Sequence, residues 1–136
     1  MSGIGVLGID NVLFDVGDLD GARRFYGELL GLQEKFAFPQ VGLVCFRLGD
    51  EEAGLLVRAS GVQPAPPRPS PRLWLEVPNA RAAAAVLGDA GVDLLDEPRE
   101  LRTGWVVELS DPWGNVIGLT DYLNDPARAR QAAAGQ

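Results

Sequence analysis

Apolar and polar residues alternate through NVLFDV, residues 11–16, with Val12, Phe14 and Val16 on one parity and Asn11, Leu13 and Asp15 on the other. Successive strand residues point to opposite faces, so this is the pattern of a strand with one buried side. Leu73, Leu75 and Val77 repeat the apolar parity farther along, and Val44, Phe46 and Leu48, Trp105, Val107 and Leu109, and Ile117 with Leu119 extend it. That uniformly apolar face is the expected core, covered by helices.

The segments between strands carry helix signals. FDVGDLDGARRFYGEL from Phe14 and LEVPNARAAAAVLGDA from Leu75 lie 61 residues apart, and each reads as a strand end, a polar cap and a helix. At that offset Val16 meets Val77, Asp18 meets Asn79, Ala22 meets Ala83, Gly27 meets Gly88 and Glu28 meets Asp89; Leu48 meets Leu109 and Asp50 meets Asp111 farther on. Asp18 and Asn79 suit N-caps, because a short side-chain oxygen accepts from the free amides of the first turn. Gly31 and Gly91 suit the helix ends. Each half is therefore expected to run strand, helix, three strands, over about residues 6–60 and 72–123 of a single domain. GVQPAPPRPSP at 61–71 has five prolines in eight residues, a stiff polyproline-like spacer. The tail, 124–136, offers little beyond alanine to dock and is expected to fray, with a short helix after Asp125.

The opposite parity is mixed in character: Asn11, Leu13, Asp15; Cys45, Arg47; Leu55, Val57; Arg72, Trp74, Glu76; Val106, Glu108; Val116, Gly118, Thr120. Such a face either meets water or, if the halves curl toward one another, lines a cleft with a few placed polar groups. Gly118 is the odd member. Glycine weakens a strand interior and there marks a close approach or a gap. Arg72 with Glu108, and Arg47 with Glu76, share this face, as ion pairs or as ligand contacts. Phe36 and Phe38, in the loop QEKFAFPQVGL, either border the cleft or close the end of the core. Trp113, in the DPWGN turn, is expected at a rim or subunit contact.

Composition narrows the chemistry. The chain of 136 residues has no histidine, one cysteine (Cys45) and a formal net charge of -7. Histidine acid/base work, histidine metal sites, cysteine zinc sites and internal disulfides are excluded. Scattered arginines on an acidic chain argue against nucleic acid. No apolar run is long enough to span a membrane, and the N-terminal residues lack a secretory pattern, so a cytoplasmic protein with no membrane partner is expected.

The paired βαβββ halves, DNVLFDVGDLDGARRFYGELLGL and the hairpin DPWGNVIGL together resemble the vicinal oxygen chelate superfamily, which includes glyoxalase I, extradiol dioxygenases, fosfomycin-modifying enzymes and bleomycin-resistance proteins. The resemblance covers about residues 6–123 and implies an α+β fold, two βαβββ modules making a curved mixed sheet or half-barrel cleft, assembled as a homodimer. Family enzymes hold a divalent metal through first-strand and last-strand residues of each half, usually His, Gln or Glu. Those places fall on Asn11, Arg72, Gly118 and Val57, or on Leu56 if the last strand of the first half slips by one. None matches, and a guanidinium offers no lone pair to a cation. The resemblance therefore implies a branch with no metal and no cofactor. The residues expected to contact a small-molecule ligand are Asn11, Asp15, Phe36, Phe38, Arg47, Val57, Arg72, Trp74, Glu76, Glu108 and Gly118. An aromatic or cationic natural product, sequestered without chemistry, is the favoured guest. Turnover by Asp15, Glu76 or Glu108 as a base, or a sheet face that binds protein, are the alternatives.

Overall fold

The computed structural model describes residues 3–130. Two sheets of one design follow each other in the chain. Strand β1 (Asn11–Val16) leads into α1 (Leu19–Ala22), which continues without a break as a wider π-helical segment, Arg23–Leu29. Strands β2 (Glu34–Phe38), β3 (Leu43–Phe46) and β4 (Gly54–Ala59) complete a sheet ordered β1-β4-β3-β2, with β1 and β4 parallel. The second half has β5 (Arg72–Glu76), α2 (Ala80–Asp89), two short strands β6 (Asp93–Leu94) and β7 (Arg99–Glu100), then β8 (Trp105–Ser110) and β9 (Val116–Thr120). Its sheet runs β5-β9-β8-β6, with β7 also on β8. The two sheets do not close into a barrel.

The local signals act as expected at the caps. The Asp18 carboxylate accepts from Gly21 N at 2.6 Å and the Asn79 amide oxygen from Ala82 N at 2.9 Å, each contributing about 1 kcal/mol. Gly31 and Gly91 take φ of 77° and 88°, a left-handed conformation that ends both helices. The interior of the first helix differs from expectation. Leu30 N bonds Phe25 O five residues back at 2.9 Å, and the widened turn buries both Phe25 and Tyr26, whose rings meet edge to face at 4.9 Å.

Strand pattern departs from the expected one in two places. The stretch expected as a loop around Phe36 is strand β2, bulged between Glu34 and Phe36. In the second half the equivalent strand is split: Leu95–Pro98 bow out opposite Val107 and Glu108, where Pro98 has no amide to give the ladder. The tail makes a single short turn, Pro126–Arg128; residues 131–136, part of the tail expected to fray, lie outside the described residues.

One core serves both halves. Phe14, Val16, Phe46, Val57, Leu109, Ile117 and Leu119 meet Phe25, Tyr26, Ala84 and Leu87 from the helices. Trp113 corrects the rim expectation: it is 4% exposed and belongs to this core. Its indole lies against Gly17 and Gly21, where an added Cβ would stand 3.2 Å from Cε2 and 3.0 Å from Cη2 respectively, so GDLDG leaves room for a ring from the other half. Asp111 organises that turn by accepting from Trp113 N and Asn115 N, both at 2.9 Å, and from the Tyr26 hydroxyl at 2.5 Å. Asn115 Nδ2 donates to Asp15 O, 2.9 Å away. The proline-rich segment is more than a spacer, since Ala65 N and Arg68 N bond Pro112 O and Gly114 O and hold it along the turn.

Candidate functional site

The faces turned away from the helices carry the site candidates, and strand register decides which residues stand on them. In the first sheet Leu13 pairs with Leu56 and Leu56 with Cys45; in the second, Trp74 pairs with Gly118 and Gly118 with Glu108. Leu13, Cys45 and Leu56 are thus the counterparts of Trp74, Glu108 and Gly118. The repeat is not in constant step. Its spacing grows by two residues before the third strand and falls back by one at the fourth, so Phe46 rather than Leu48 matches Leu109. This corrects Val57, and Leu55 with it: both are fully buried in the core, opposite Phe14 and Val12, while Leu56 and Arg58 face outward. A slip of one residue exchanges the two faces of a strand.

In the second sheet Arg72, Trp74 and Glu108 come together. Arg72 Nη1 donates to Glu108 Oε1 at 2.6 Å, and Trp74 Nε1 donates to Glu108 Oε2 at 3.1 Å. Glu108 is 7% exposed, Trp74 44%. The indole crosses β9 to reach the carboxylate, and Gly118 lies beneath it; a Cβ there would stand 2.6 Å from indole Nε1. The space that Gly118 leaves is filled by Trp74, with one ring face still open to solvent. Burial by itself would raise the Glu108 pKa, but the bonds from Arg72 and Trp74 and the charges of Arg72 and Arg99 outweigh it and hold the carboxyl below its ordinary value.

The other carboxylates are also committed. Arg58 binds Asp15 with two of its nitrogens, Nε at 2.8 Å and Nη2 at 3.3 Å, lowering the Asp15 pKa chiefly through that hydrogen bonding. Glu76 receives Arg130 from the tail rather than Arg47, through the backbone N at 2.9 Å and Nη1 at 2.7 Å. Arg47 is exposed, with no ion-pair partner among the described residues. Arg58 and Arg130 are functional candidates that the sequence reading missed. Correct parity in β4 would have exposed the first, whereas nothing in the tail's pattern signals the second.

In the first sheet, Phe36 and Phe38 stand 5.6 Å apart on β2, partly exposed on the same face as Cys45. They make no ring contact with Trp74. Asn11 Oδ1 accepts from Gly54 N at 3.0 Å and ties β1 to β4. Cys45 is buried beside it, and burial pushes its thiol pKa up, away from a reactive thiolate. A depression of about 160 Å³ lies where the halves join, lined by Leu13, Asp15, Val62, Arg68, Pro71 and Asn115; ligand pockets usually run to about 300 Å³ or more.

The residues at the metal-binding places are a strand-tying amide (Asn11), an aliphatic chain (Leu56), a guanidinium bound to Glu108 (Arg72) and a position without a side chain (Gly118). A divalent cation needs several converging oxygen or nitrogen donors, and this set does not fit one. Among the described residues, no three His, Cys, Asp or Glu side chains gather as a metal would require.

Fold and site define a class: tandem βαβββ modules with a polar constellation on the sheet face opposite the helices. The chain belongs to the Glyoxalase/Bleomycin resistance protein/Dioxygenase superfamily, whose family profile matches residues 8–119. Among solved structures it is similar to a glyoxalase/dioxygenase from Nostoc punctiforme (19% identity, 90% of this chain and 95% of that one, TM-score 0.73). It is also similar to TnmS3, an antibiotic binding protein from Streptomyces sp. CB03234 (23% identity, 88% and 99%, TM-score 0.68), and to a superfamily member from Sphaerobacter thermophilus DSM 20745 (19%, 87% and 99%, TM-score 0.68). No curated protein matches the sequence significantly.

Proposed function

We propose that this protein is a metal-independent binding protein that sequesters a planar, aromatic, cationic organic molecule in the cytoplasm. The observation that carries the reading is the Trp74 platform. An indole on a non-core face is fixed by its N–H to Glu108, rests on Gly118 and keeps one face open. A fixed, half-exposed indole offers stacking and cation–π attraction at small entropic cost. The net negative charge favours cations. The likeness to a Streptomyces antibiotic binding protein supports the same reading. Asp15, Glu76 and Glu108 are each ion-paired, which favours binding over general-base turnover. In one chain the platform is an open face, so the binding unit is taken to be a homodimer whose second copy walls the guest.

Titration with a panel of planar dyes, cationic and neutral, tests this by calorimetry alongside elemental analysis. Saturable binding of a cationic acridine such as proflavine by metal-free protein is expected. Gly118→Val, which drives the indole off its seat, should weaken it by about tenfold or more while the fold persists, as loss of a stacking contact does. Absence of saturable binding across the panel, or turnover that Glu108→Gln abolishes, overturns the reading.

A further inference from the structure

Asp15, Glu76 and Glu108 stand on the open sheet faces, and they are not neutralised alike. Asp15 and Glu108 find arginines within their own sheets, Arg58 and Arg72. Glu76 has no such partner. Its counter-ion is Arg130, delivered by the chain after the last strand, and with that residue in place the Glu76 side chain is only 13% exposed. The same guanidinium reaches across the halves, Nε donating to Glu51 Oε1 at 3.2 Å in the segment between β3 and β4. Glu76 follows Trp74 by two residues on β5 and therefore shares its face. A cationic, planar side-chain group of this protein thus already holds the carboxylate two residues along β5 from Trp74, on the same face.

We propose that Arg130 is a built-in competitor for the guest. The segment Pro126–Arg130 straps the open face, its Arg130 guanidinium holds the place beside Trp74 that a guest's cationic group takes, and Glu76 is the carboxylate that selects for that charge. The inference rests on the binding function proposed above and adds the subsite and its occupant. Arg130 is 69% exposed, so its pair with Glu51, itself 55% exposed, is of the weak, solvent-screened kind, and its stronger pair with the 13% exposed Glu76 is the contact a bound cation must replace. Its few anchors among the described residues are polar, and Pro126–Arg130 inserts no large apolar side chain, so its release uncovers little core.

The test uses the full chain and proflavine. Arg130→Gln is expected to tighten proflavine binding by about three- to fivefold, the range a released surface ion pair supports. Arg128→Gln removes the same charge two residues away, where the partner is Asp125, and should leave affinity within about 1.5-fold on the same grounds. Glu76→Gln should weaken proflavine while leaving a neutral planar dye unaffected. Trypsin cleavage after Arg128 and Arg130 reports the strap directly. Proflavine, but not the neutral dye, should accelerate it in the natural chain, and Glu76→Gln should accelerate it without dye. Equal proflavine affinity in the natural chain and Arg130→Gln, with cleavage unchanged by dye, overturns the strap and leaves the binding function standing. No proflavine binding to either chain overturns both.

Discussion

Cys45 and Glu108 occupy the same place in two sheets of the same design, third strand, face away from the helices, and their surroundings differ completely. Cys45 has Leu56 and Phe36 as strand partners; Glu108 has Gly118 on one side and the outward bow of Leu95–Pro98 on the other. The core faces have not diverged in this way. Phe14 and Leu75, Val57 and Leu119, and Phe46 and Leu109 remain large and apolar in both halves, because each must fill space against a helix at close packing. The open faces carry no such constraint. Glycine in place of the larger side chain on one fourth strand lets a neighbouring indole lie across it, and together with Trp74 for Leu13 and Glu108 for Cys45 this gives a fixed aromatic platform with a carboxylate at its edge.

Breaking the equivalence of Leu56 with Gly118 gives the largest effect. Val57→Asp places a charge in the core and should destabilise the chain by about 4 kcal/mol or more, whereas Leu56→Asp should cost about 1 kcal/mol. Urea denaturation distinguishes them. Similar losses for both would mean that the register, and with it the whole pairing of the halves, is wrong.

The helices differ as well. Tyr26 reaches across to Asp111 of the second half. Burial pushes its pKa well above the ordinary value, with the Asp111 charge adding to that, so the hydroxyl stays protonated and keeps donating. Tyr26→Phe should cost about 1–2 kcal/mol in urea melts, since the Asp111 oxygen keeps only the Asn115 amide. A loss below about 0.3 kcal/mol would show that this bond does not couple the halves.

The smallest effect sharpens the contrast between Cys45 and Glu108. The folded-state pKa of Glu108 lies below its ordinary value of 4.5, so its pairing with Arg72 and Trp74 stabilises the fold fully above that pH and is lost as pH falls through the lower folded value. Removing the carboxylate in Glu108→Gln should therefore flatten the acid limb of stability below about pH 4.5, by on the order of 1 kcal/mol given the partly exposed arginine. Cys45→Ser should leave that limb unchanged. An identical acid limb in Glu108→Gln and the natural chain would mean that the carboxylate is not engaged.

Much of the fold was legible because it rests on local chemistry: alternation gave the strands and their buried face, Asp18 and Asn79 gave the helix starts, and Gly31 and Gly91 their ends. Arg72 with Glu108 was legible too, since their shared parity placed them on one face. Val57 was misplaced because the repeat was carried across the third strand at constant spacing, and parity forgives no odd error. Trp113 was misplaced because its burial depends on Gly17 and Gly21, nearly a hundred residues away in sequence.

The amino-acid sequence by itself determined the apolar face of most strands and where the helices are capped; these follow from side-chain chemistry and nearest-neighbour geometry. Only the tertiary structure decided what fills the space above Gly118, which arginine serves each carboxylate, and that Arg130 from the tail lies across the open face. Those outcomes depend on strand register and on long-range contacts, which the periodicity of a single strand does not encode.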